Sequence, residues 1–245
     1  MKKQPVTSQN WQNHLFQKTA SNSGFLLIHK PVGPTSHDII NYLRRITKIQ
    51  KIGHAGTLDP FASGLLIIAI GKPSTKKIQQ FVGLDKVYQV KLKLGAKSNT
   101  FDCTGIIEIK KDAQVPTLFQ IQKILKKFLG PQDQVPPMFS AKKIQGQKLY
   151  ELARKGLIVK RKPHKIKIDY IKLLKYRWPL LTLKIKCSSG TYIRALVNDI
   201  GQLLDCGAYA EELKRVKIGK HDLKKAYTPE RISPRPSRRA GQFVK

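Results

Sequence analysis

The chain has 245 residues, 40% of them hydrophobic, which is enough to bury the core of one large domain or two modest ones. Lysine and arginine number 47 against 15 acidic residues, so the formal net charge is +32. This excess indicates a polyanionic partner, most often nucleic acid, because neutralising phosphates releases condensed counterions. A general enrichment in lysine without functional meaning is the alternative, since net charge alone does not specify function.

The same composition argues against several classes of protein. Three widely spaced cysteines indicate neither a disulfide framework nor a zinc site, so we expect a reducing cytoplasm and no metal. No apolar run reaches the length of a membrane span, and residues 1–24 contain no signal-peptide core. We expect residues 1–23 to form a flexible polar leader, with an organelle transit peptide as the alternative.

A strand and an amphipathic helix joined by a proline-rich turn are the first predicted elements. Residues 25–29 favour a short strand, and the turn KPVGP at 30–34 cannot continue regular structure. Thr35 or Ser36 can cap a helix whose apolar residues recur at helical spacing. The pattern places Lys30 in a turn, where a basic residue is ordinarily exposed.

Residues 51–80 hold one acidic residue in a basic, glycine-rich stretch. Asp59 is the only acidic residue between Asp38 and Asp85, and glycines and prolines on both sides require sharp turns around it. From local turn chemistry alone, a cap on the turn after Pro60 is an equal alternative to a functional role.

Three elements are predicted directly after this loop. The apolar run 65–70 fits a buried strand, and Pro73 opens a helix at 74–82. Residues 85–95 alternate apolar and polar side chains, as a half-buried strand does. Periodicity by itself therefore makes Tyr88 a core residue.

The middle of the chain favours a strand at 104–110 and an amphipathic helix at 117–129. Residues 135–156 combine a Pro-Pro turn, a basic segment and a short helix. Residues 161–177 and 180–190 read as two long strands, each with an apolar face and a strongly positive face.

The last predicted elements are a helix that opens at Thr191 and a strand pair at 207–219. Residues 228–232 could form one helical turn. Residues 233–245 form a basic tail that we expect to be disordered.

Four stretches of sequence together resemble one known family. They are GHAGTLDPFASGLL around Asp59, KVYQVKLKLG around Tyr88, PPMFSAKKIQGQKLYELARKG from Pro136, and SSGTYIRALVNDIG from Ser188. Together with the KPVGPTS turn they resemble the TruB-type tRNA pseudouridine synthases. The resemblance implies the pseudouridine synthase fold of mixed α+β class, a largely antiparallel sheet flanked by helices with a central RNA-binding cleft on the positive face of the sheet.

The resemblance also implies a domain plan. We expect residues 24–232 to form the catalytic domain, and the small carboxy-terminal PUA domain of many members to be absent. We then expect an isolated T-arm stem-loop to be modified almost as efficiently as whole tRNA. Binding should depend steeply on salt, through phosphate contacts from residues 160–167 and the tail.

By the same resemblance, three residues carry the chemistry. Asp59 would act as the nucleophilic carboxylate, Tyr88 would pack on the target uracil and help to remove the proton at carbon 5, and Arg194 would keep Asp59 ionised. Substrate-binding roles are implied for six further residues: Lys30, His54, Tyr192, Leu213, Ser140 and Lys142. Of these, His54 would occupy the space vacated by the flipped base.

The implied reaction converts uridine 55 in the T-loop of tRNA into pseudouridine without metal or organic cofactor. One carboxylate suffices because uracil leaves as a stabilised anion, whereas glycosidases use two carboxyl groups. The base must be flipped out, at a cost of about a few kcal/mol. We expect a cytoplasmic monomer that binds the T-arm of tRNA and no membrane. Whether Asp59 attacks the sugar, attacks the base or removes a ribose proton stays open.

Without the resemblance, most of these residues would have structural interpretations. Lys30 and Lys142 would be exposed charges, Arg194 an exposed helix residue, and His54 an ordinary loop residue. The alternative function is a catalytically inactive RNA-binding or tRNA-folding protein on the same scaffold.

Overall fold

The computed structural model describes residues 23–228 apart from positions 141, 145 and 158. The leader predicted at 1–23, the helical turn at 228–232 and the tail at 233–245 therefore lie almost wholly outside the described residues. Within the described part, no helix is long and apolar enough to cross a membrane.

The chain forms thirteen named strands and six named helices in the described part. The strands are β1 (Gly24–Lys30), β2 (Ile52–His54), β3 (Ser63–Ile70), β4 (Lys86–Leu94), β5 (Ala96–Ser98), β6 (Ile107–Ile109), β7 (Gly130–Gln134), β8 (Lys143–Ile144), β9 (Gln147–Lys148), β10 (His164–Arg177), β11 (Leu180–Cys187), β12 (Ala208–Ile218) and β13 (His221–Asp222). The helices are α1 (Ser36–Thr47), α2 (Lys72–Lys76), α3 (Gln79–Val82), α4 (Leu118–Lys127), α5 (Leu149–Arg154) and α6 (Ile193–Leu203).

One large sheet organises the fold, in the order β1-β3-β12-β4-β11-β10-β7, with β2 beside β3 and β13 beside β12. The pairs are antiparallel except β3 with β12, which run parallel over two residue pairs. This confirms the predicted mixed class and the largely antiparallel sheet. The parallel contact also brings β12 against the strand that leaves the Asp59 loop.

Helix α1 begins where the sequence predicts. The Thr35 hydroxyl accepts a hydrogen bond from the Asp38 backbone N–H at 3.0 Å, and the Asp38 carboxylate accepts from the Thr35 N–H at 2.8 Å. This reciprocal pair is a capping box. The apolar side of α1, with Ile39, Ile40 and Leu43, packs on β1 and β3.

The main core lies between one face of the sheet and helices α4 and α6. Tyr88, Val90, Leu92 and Leu94 alternate along β4 and are all buried, as the strand pattern predicts. Helix α6 lies deep in this core, with buried residues along most of its length. The N-terminal end of α6 is thereby held rigidly at one end of the sheet.

Several predicted elements differ from the structure. The helix predicted at 74–82 is wrong, because two short helices, α2 and α3, replace it. The first ends at Lys76, and the N–H of its C-cap residue Lys77 bonds to the Ser74 carbonyl at 3.0 Å. Ile78, at the break, is partly buried and packs against a third, small core cluster formed by Ala55, Leu65, Ile67 and Ile218.

The strand pair predicted at 207–219 is also wrong, because β12 is one continuous strand. Register shifts at Ala210/Glu212 and Arg215/Lys217 let it follow β4 over its whole length. The strand predicted at 104–110 shrinks to β6, and α6 begins at Ile193 with Tyr192 as its N-cap.

Candidate active site

A cleft of about 440 Å³ opens beside the N-terminal end of α6. Its walls come from the Asp59 loop, the start of β4, the middle of β12 and the segment before α6. Seven of the nine residues predicted for the site line this cleft: Asp59, Tyr88, Ser140, Lys142, Tyr192, Arg194 and Leu213. Lys30 and His54 do not line it.

The Asp59 carboxylate is held by a buried guanidinium. Nε of Arg194 donates to Oδ2 of Asp59 at 2.9 Å, and the side chains are 4% and 38% exposed respectively. Arg194 also donates to the backbone carbonyls of Thr100 and Phe139, both at 2.8 Å. The arginine is thus fixed in one orientation while the carboxylate keeps access to the cleft.

A second carboxylate, Asp102, lies on the other side of Arg194. Its Oδ2 is 3.0 Å from Nη1 of the arginine, and both side chains are buried. Its Oδ1 accepts from the Thr104 hydroxyl at 2.6 Å and from the Thr100 hydroxyl at 2.8 Å. Sequence reasoning missed Asp102, although an acidic residue in the turn TFDCTG was the available signal.

Opposing effects set the protonation of Asp59. Burial raises the pKa of Asp59, the Arg194 guanidinium opposes this rise, and the Asp102 carboxylate adds to it. The guanidinium therefore offsets part of the cost of keeping this carboxylate ionised in a partly closed site.

Backbone contacts on two sides fix the loop that carries Asp59. Arg215, which is 1% exposed, donates to the carbonyls of Leu65, Thr57 and Gly56 at 2.8, 3.2 and 3.0 Å. Ser36 at the start of α1 accepts from the Leu58 N–H at 2.9 Å. The sequence analysis named the stretch around Leu213 but missed Arg215, two residues further along β12.

Gly64 allows β12 to approach this loop. Its φ is +120°, and a Cβ on it would lie 2.3 Å from the backbone oxygen of Arg215. A side chain at this position would push β3 and β12 apart, so glycine is required both by conformation and by space.

Lys30 forms hydrogen bonds that support the loop carrying Asp59. Its amino group donates to the carbonyls of Pro31 at 2.7 Å, Pro34 at 2.8 Å and Pro60 at 3.4 Å. The residue is fully buried, and burial lowers the pKa of Lys30 to about 8. The structure places Lys30 under the loop, with its charge satisfied by backbone oxygens.

Tyr88 and Leu213 form apolar walls of the cleft, being 8% and 7% exposed. Burial raises the pKa of Tyr88, so its phenol is neutral at physiological pH. A planar ring and a branched aliphatic chain at one cleft suit a flat heterocyclic base.

The segment before α6 is oriented by an amide. The Gln134 side chain accepts from the Tyr192 N–H at 2.8 Å and donates to the Tyr192 carbonyl at 3.0 Å. Ser140 lies buried at the cleft near the Tyr192 phenol, whose pKa is raised by burial, and Lys142 is exposed at the rim.

His54 ends β2, half-buried and outside the cleft lining. Burial and then the charge of Arg215 lower the pKa of His54, so a neutral imidazole is favoured there.

Lys86 is a further cleft residue that sequence reasoning missed. It is 5% exposed, and its amino group donates to the Ser189 hydroxyl at 2.9 Å and to the Val82 carbonyl at 2.5 Å. Burial lowers the pKa of Lys86 to about 8.

The cleft does not lie on the positive face of the sheet, so that expectation is wrong. Tyr88 and Leu213 belong to the apolar core on the helix side. Along β11 the buried Ile185, which pairs with Tyr88, alternates with Lys184 and Lys186. Since successive side chains of a strand point to opposite faces, these lysines lie on the reverse side.

Comparisons with known sequences relate the chain to one family. The model of the TruB family pseudouridylate synthase (N terminal domain) matches residues 44–193. tRNA pseudouridine synthase B of Protochlamydia amoebophila is 46% identical over 196 residues, which cover 80% of this chain and 74% of that protein. The protein of the same name from Thermosipho melanesiensis is 42% identical over 207 residues, 84% of this chain and 67% of that one.

Solved structures show the same fold. The chain superposes on a Cbf5-Nop10-Gar1 complex with a TM-score of 0.64 and 28% identity, covering 84% of this chain and 52% of that chain. For an H/ACA RNP bound to a substrate RNA containing 2'-deoxyuridine, the TM-score is 0.62 and the identity 26%, covering 84% and 51%. This chain spans about half the length of those two solved chains. The chain belongs to the TruB family of pseudouridylate synthases.

Proposed function

We propose that this chain converts a uridine of tRNA into pseudouridine, and that the target is uridine 55 in the T-loop. Its relatives are named tRNA pseudouridine synthase B, and the chain covers 74% of the Protochlamydia amoebophila protein. Position 55 and the T-arm come from the resemblance of the four sequence blocks.

The observation that carries the proposal is the Asp59 carboxylate held 2.9 Å from a buried arginine at an apolar cleft. A nucleophilic carboxylate must be ionised, fixed in direction and accessible to the substrate. Arg194 supplies the first two properties, and the 38% exposure of the Asp59 side chain supplies the third.

In the proposed reaction Asp59 attacks C1′ of the ribose while the C1′–N1 bond breaks and uracil leaves as an anion. The base turns within the cleft, and its C5 forms a bond to C1′ and displaces the carboxylate. C5 loses its proton and N1 gains one, so product and substrate have the same composition. Water must stay out during the turn, because it would otherwise capture the sugar.

Tyr88 and Leu213 are proposed to hold the base during this turn. Their buried positions at the cleft support packing on a flat ring. Because burial raises the pKa of Tyr88, its phenol stays protonated and cannot readily accept a proton, so packing is better supported for Tyr88 than removal of the C5 proton.

The other predicted site residues are assigned by their positions. Ser140, Lys142 and Tyr192 line the cleft and are proposed to contact the substrate. Lys30 is proposed to act as a positioning residue, through the Pro60 carbonyl next to Asp59. His54 is proposed to occupy the space of the flipped base, and its half-buried position beside the loop is compatible with that role.

We further propose that residues 24–232 act as one catalytic domain, in a monomer that meets its tRNA in the cytoplasm. The single sheet that joins β1, β3, β12, β4, β11, β10 and β7 supports a single folding unit. The T-arm is the proposed point of contact with the tRNA.

The experiment is a pseudouridine assay on an unmodified tRNA transcript, with the modified position mapped. We expect one pseudouridine, at position 55, and none in a transcript with cytidine at that position. Tight binding without pseudouridine would instead support the inactive RNA-binding alternative. Pseudouridine at another position would overturn the assignment of the T-loop.

A further inference from the structure

The face of the sheet opposite the cleft carries lysines that the proposed reaction does not use. Six of them, here called the lysine face, project from three neighbouring strands: Lys91 and Lys93 of β4, Lys184 and Lys186 of β11, and Lys172 and Lys175 of β10. Helices α4 and α6 pack on the other side of these strands. The lysine face is therefore a separate surface.

The strand register places its like charges side by side. Lys172 of β10 lies directly opposite Lys184 of β11. Thr182 of β11 lies between two lysines, Lys175 on the neighbouring strand β10 and Lys91 on the neighbouring strand β4. Neighbouring strands are only about 4.8 Å apart, and like charges directly opposite each other destabilise an antiparallel sheet. The arrangement brings no gain in stability, so a structural role does not explain it.

Acidic side chains neutralise only part of the lysine face. Lys186 pairs with Asp169 at 2.8 Å, and Lys91 pairs with Glu212. Within the described ranges, four lysines of the face have no acidic partner: Lys93, Lys172, Lys175 and Lys184.

We propose that the lysine face binds the phosphate backbone of double-helical RNA, independently of base sequence and apart from the cleft. Lysine is a compact point charge that suits phosphate, whereas base reading relies on forked or bidentate side chains. The charge complementarity is direct, because the unpaired Lys172 and Lys175 are exposed, and the unpaired Lys93 and Lys184 are partly exposed beside them.

Other occupants fit this surface less well. Single strands bind by stacking on several aromatic rings, but the face offers one, Tyr170, whose ring centroid is 5.5 Å from the amino group of Lys172. A membrane surface would require apolar residues to insert among the charges. Of the residues in these three strands, the exposed large hydrophobic one is Leu174.

The test uses the variant Lys172→Gln/Lys175→Gln/Lys184→Gln and an RNA duplex built only from G and C. The duplex lacks uridine, so failure here is distinguishable from failure of the proposed function. We expect Kd for the duplex to rise about tenfold, and the slope of log K against log salt to fall by about 2 to 3. The matched control, Lys123→Gln/Lys126→Gln/Lys127→Gln on α4, removes the same charge from the helix side and should change Kd less than about twofold.

Further measurements keep the proposal falsifiable. The variant Lys172→Arg/Lys175→Arg/Lys184→Arg keeps the charge and should keep the affinity. The glutamine variant should unfold at the same or a higher temperature and modify a T-arm stem-loop at the unchanged rate. Equal losses in the two glutamine variants, a lower Tm, loss of affinity in the arginine variant, or tighter binding of anionic phospholipid vesicles than of the duplex would each overturn the proposal.

Discussion

Arg194 and Asp59 form an ion pair of 2.9 Å that ties the tip of a loop to the first turn of a core helix. Arg194 sits in the rigid core, with Asp102 and two carbonyls as its other partners. The loop is held separately by Arg215, Ser36 and Lys30. Both sides of the pair are thus fixed before any substrate arrives, which is the property that a positioned nucleophile needs.

Arg194→Lys should lower kcat by about 100-fold while Kd for tRNA changes less than about threefold, because an ammonium cannot serve both carboxylates in the planar geometry of a guanidinium. Single-turnover rates and filter-binding affinities measure the two quantities. Arg45→Lys, at an exposed arginine of α1, is the control. An unchanged rate in Arg194→Lys would show that the pair does not position the carboxylate.

The acid limb of the pH profile should move when Asp102 is replaced. Turnover requires ionised Asp59, so it falls as pH falls through the pKa of that residue. Burial and then the Asp102 charge raise this pKa against the effect of Arg194. Asp102→Asn removes one raising effect, so the limb should move to lower pH even though the maximal rate drops. Single-turnover rates measured across the limb test this, and a move to higher pH would contradict it.

Arg215→Lys should weaken both the fold and the chemistry. It leaves some of the carbonyls of Gly56, Thr57 and Leu65 without their donor, at a cost of about 2–4 kcal/mol in the free energy of unfolding. The loosened loop should lower kcat more than it raises KM. Urea unfolding and steady-state kinetics check the two effects, with Lys214→Gln, an exposed neighbour, as control. Full stability in Arg215→Lys would mean that the loop is held by other contacts.

Two glycines with similar backbone angles separate conformational strain from close approach. Gly33 has φ +108°, and a Cβ added to it would meet no atom within 4 Å. A Cβ added to Gly64 would lie 2.3 Å from the backbone oxygen of Arg215. Gly33→Ala should cost about 1–3 kcal/mol, from strain alone. Gly64→Ala should cost more than about 4 kcal/mol. Urea unfolding of the two variants measures both losses of stability. Equal losses would show that β3 and β12 can move apart to accept a Cβ at Gly64.

Sequence patterns predicted the features that depend only on residues near one another in the chain. The alternation along β4 and the N-cap of α1 at Thr35 depend on neighbours in the chain, so both were predictable. The break between α2 and α3 depends on Ile78 packing into a distant core, and the bulges of β12 depend on β4. Such tertiary effects override local periodicity.

Buried charges were the least predictable part of the site. Arg215, Lys86 and Asp102 are each 5% exposed or less. From residue type alone, charged side chains are expected at the surface. Their partners are mostly backbone oxygens or groups far away in sequence, such as Leu65 for Arg215. The cleft was wrongly expected on the positive face of the sheet. Alternation along a strand predicts two different faces, but it does not show which face the helices cover, and the cleft lies on the helix side.

The most direct test of the central claim is the conversion of tRNA by Asp59→Asn under single-turnover conditions. The amide keeps the shape of the side chain but is no nucleophile. Because burial raises the pKa of Asp59, folded chains bind its proton more tightly than unfolded ones, so the ionised form opposes folding at neutral pH. We therefore expect a Tm equal to or above that of the unaltered chain, a Kd for tRNA within about threefold, and no detectable pseudouridine. Pseudouridine formation at a rate near that of the unaltered chain would contradict the assignment of Asp59 as the nucleophile.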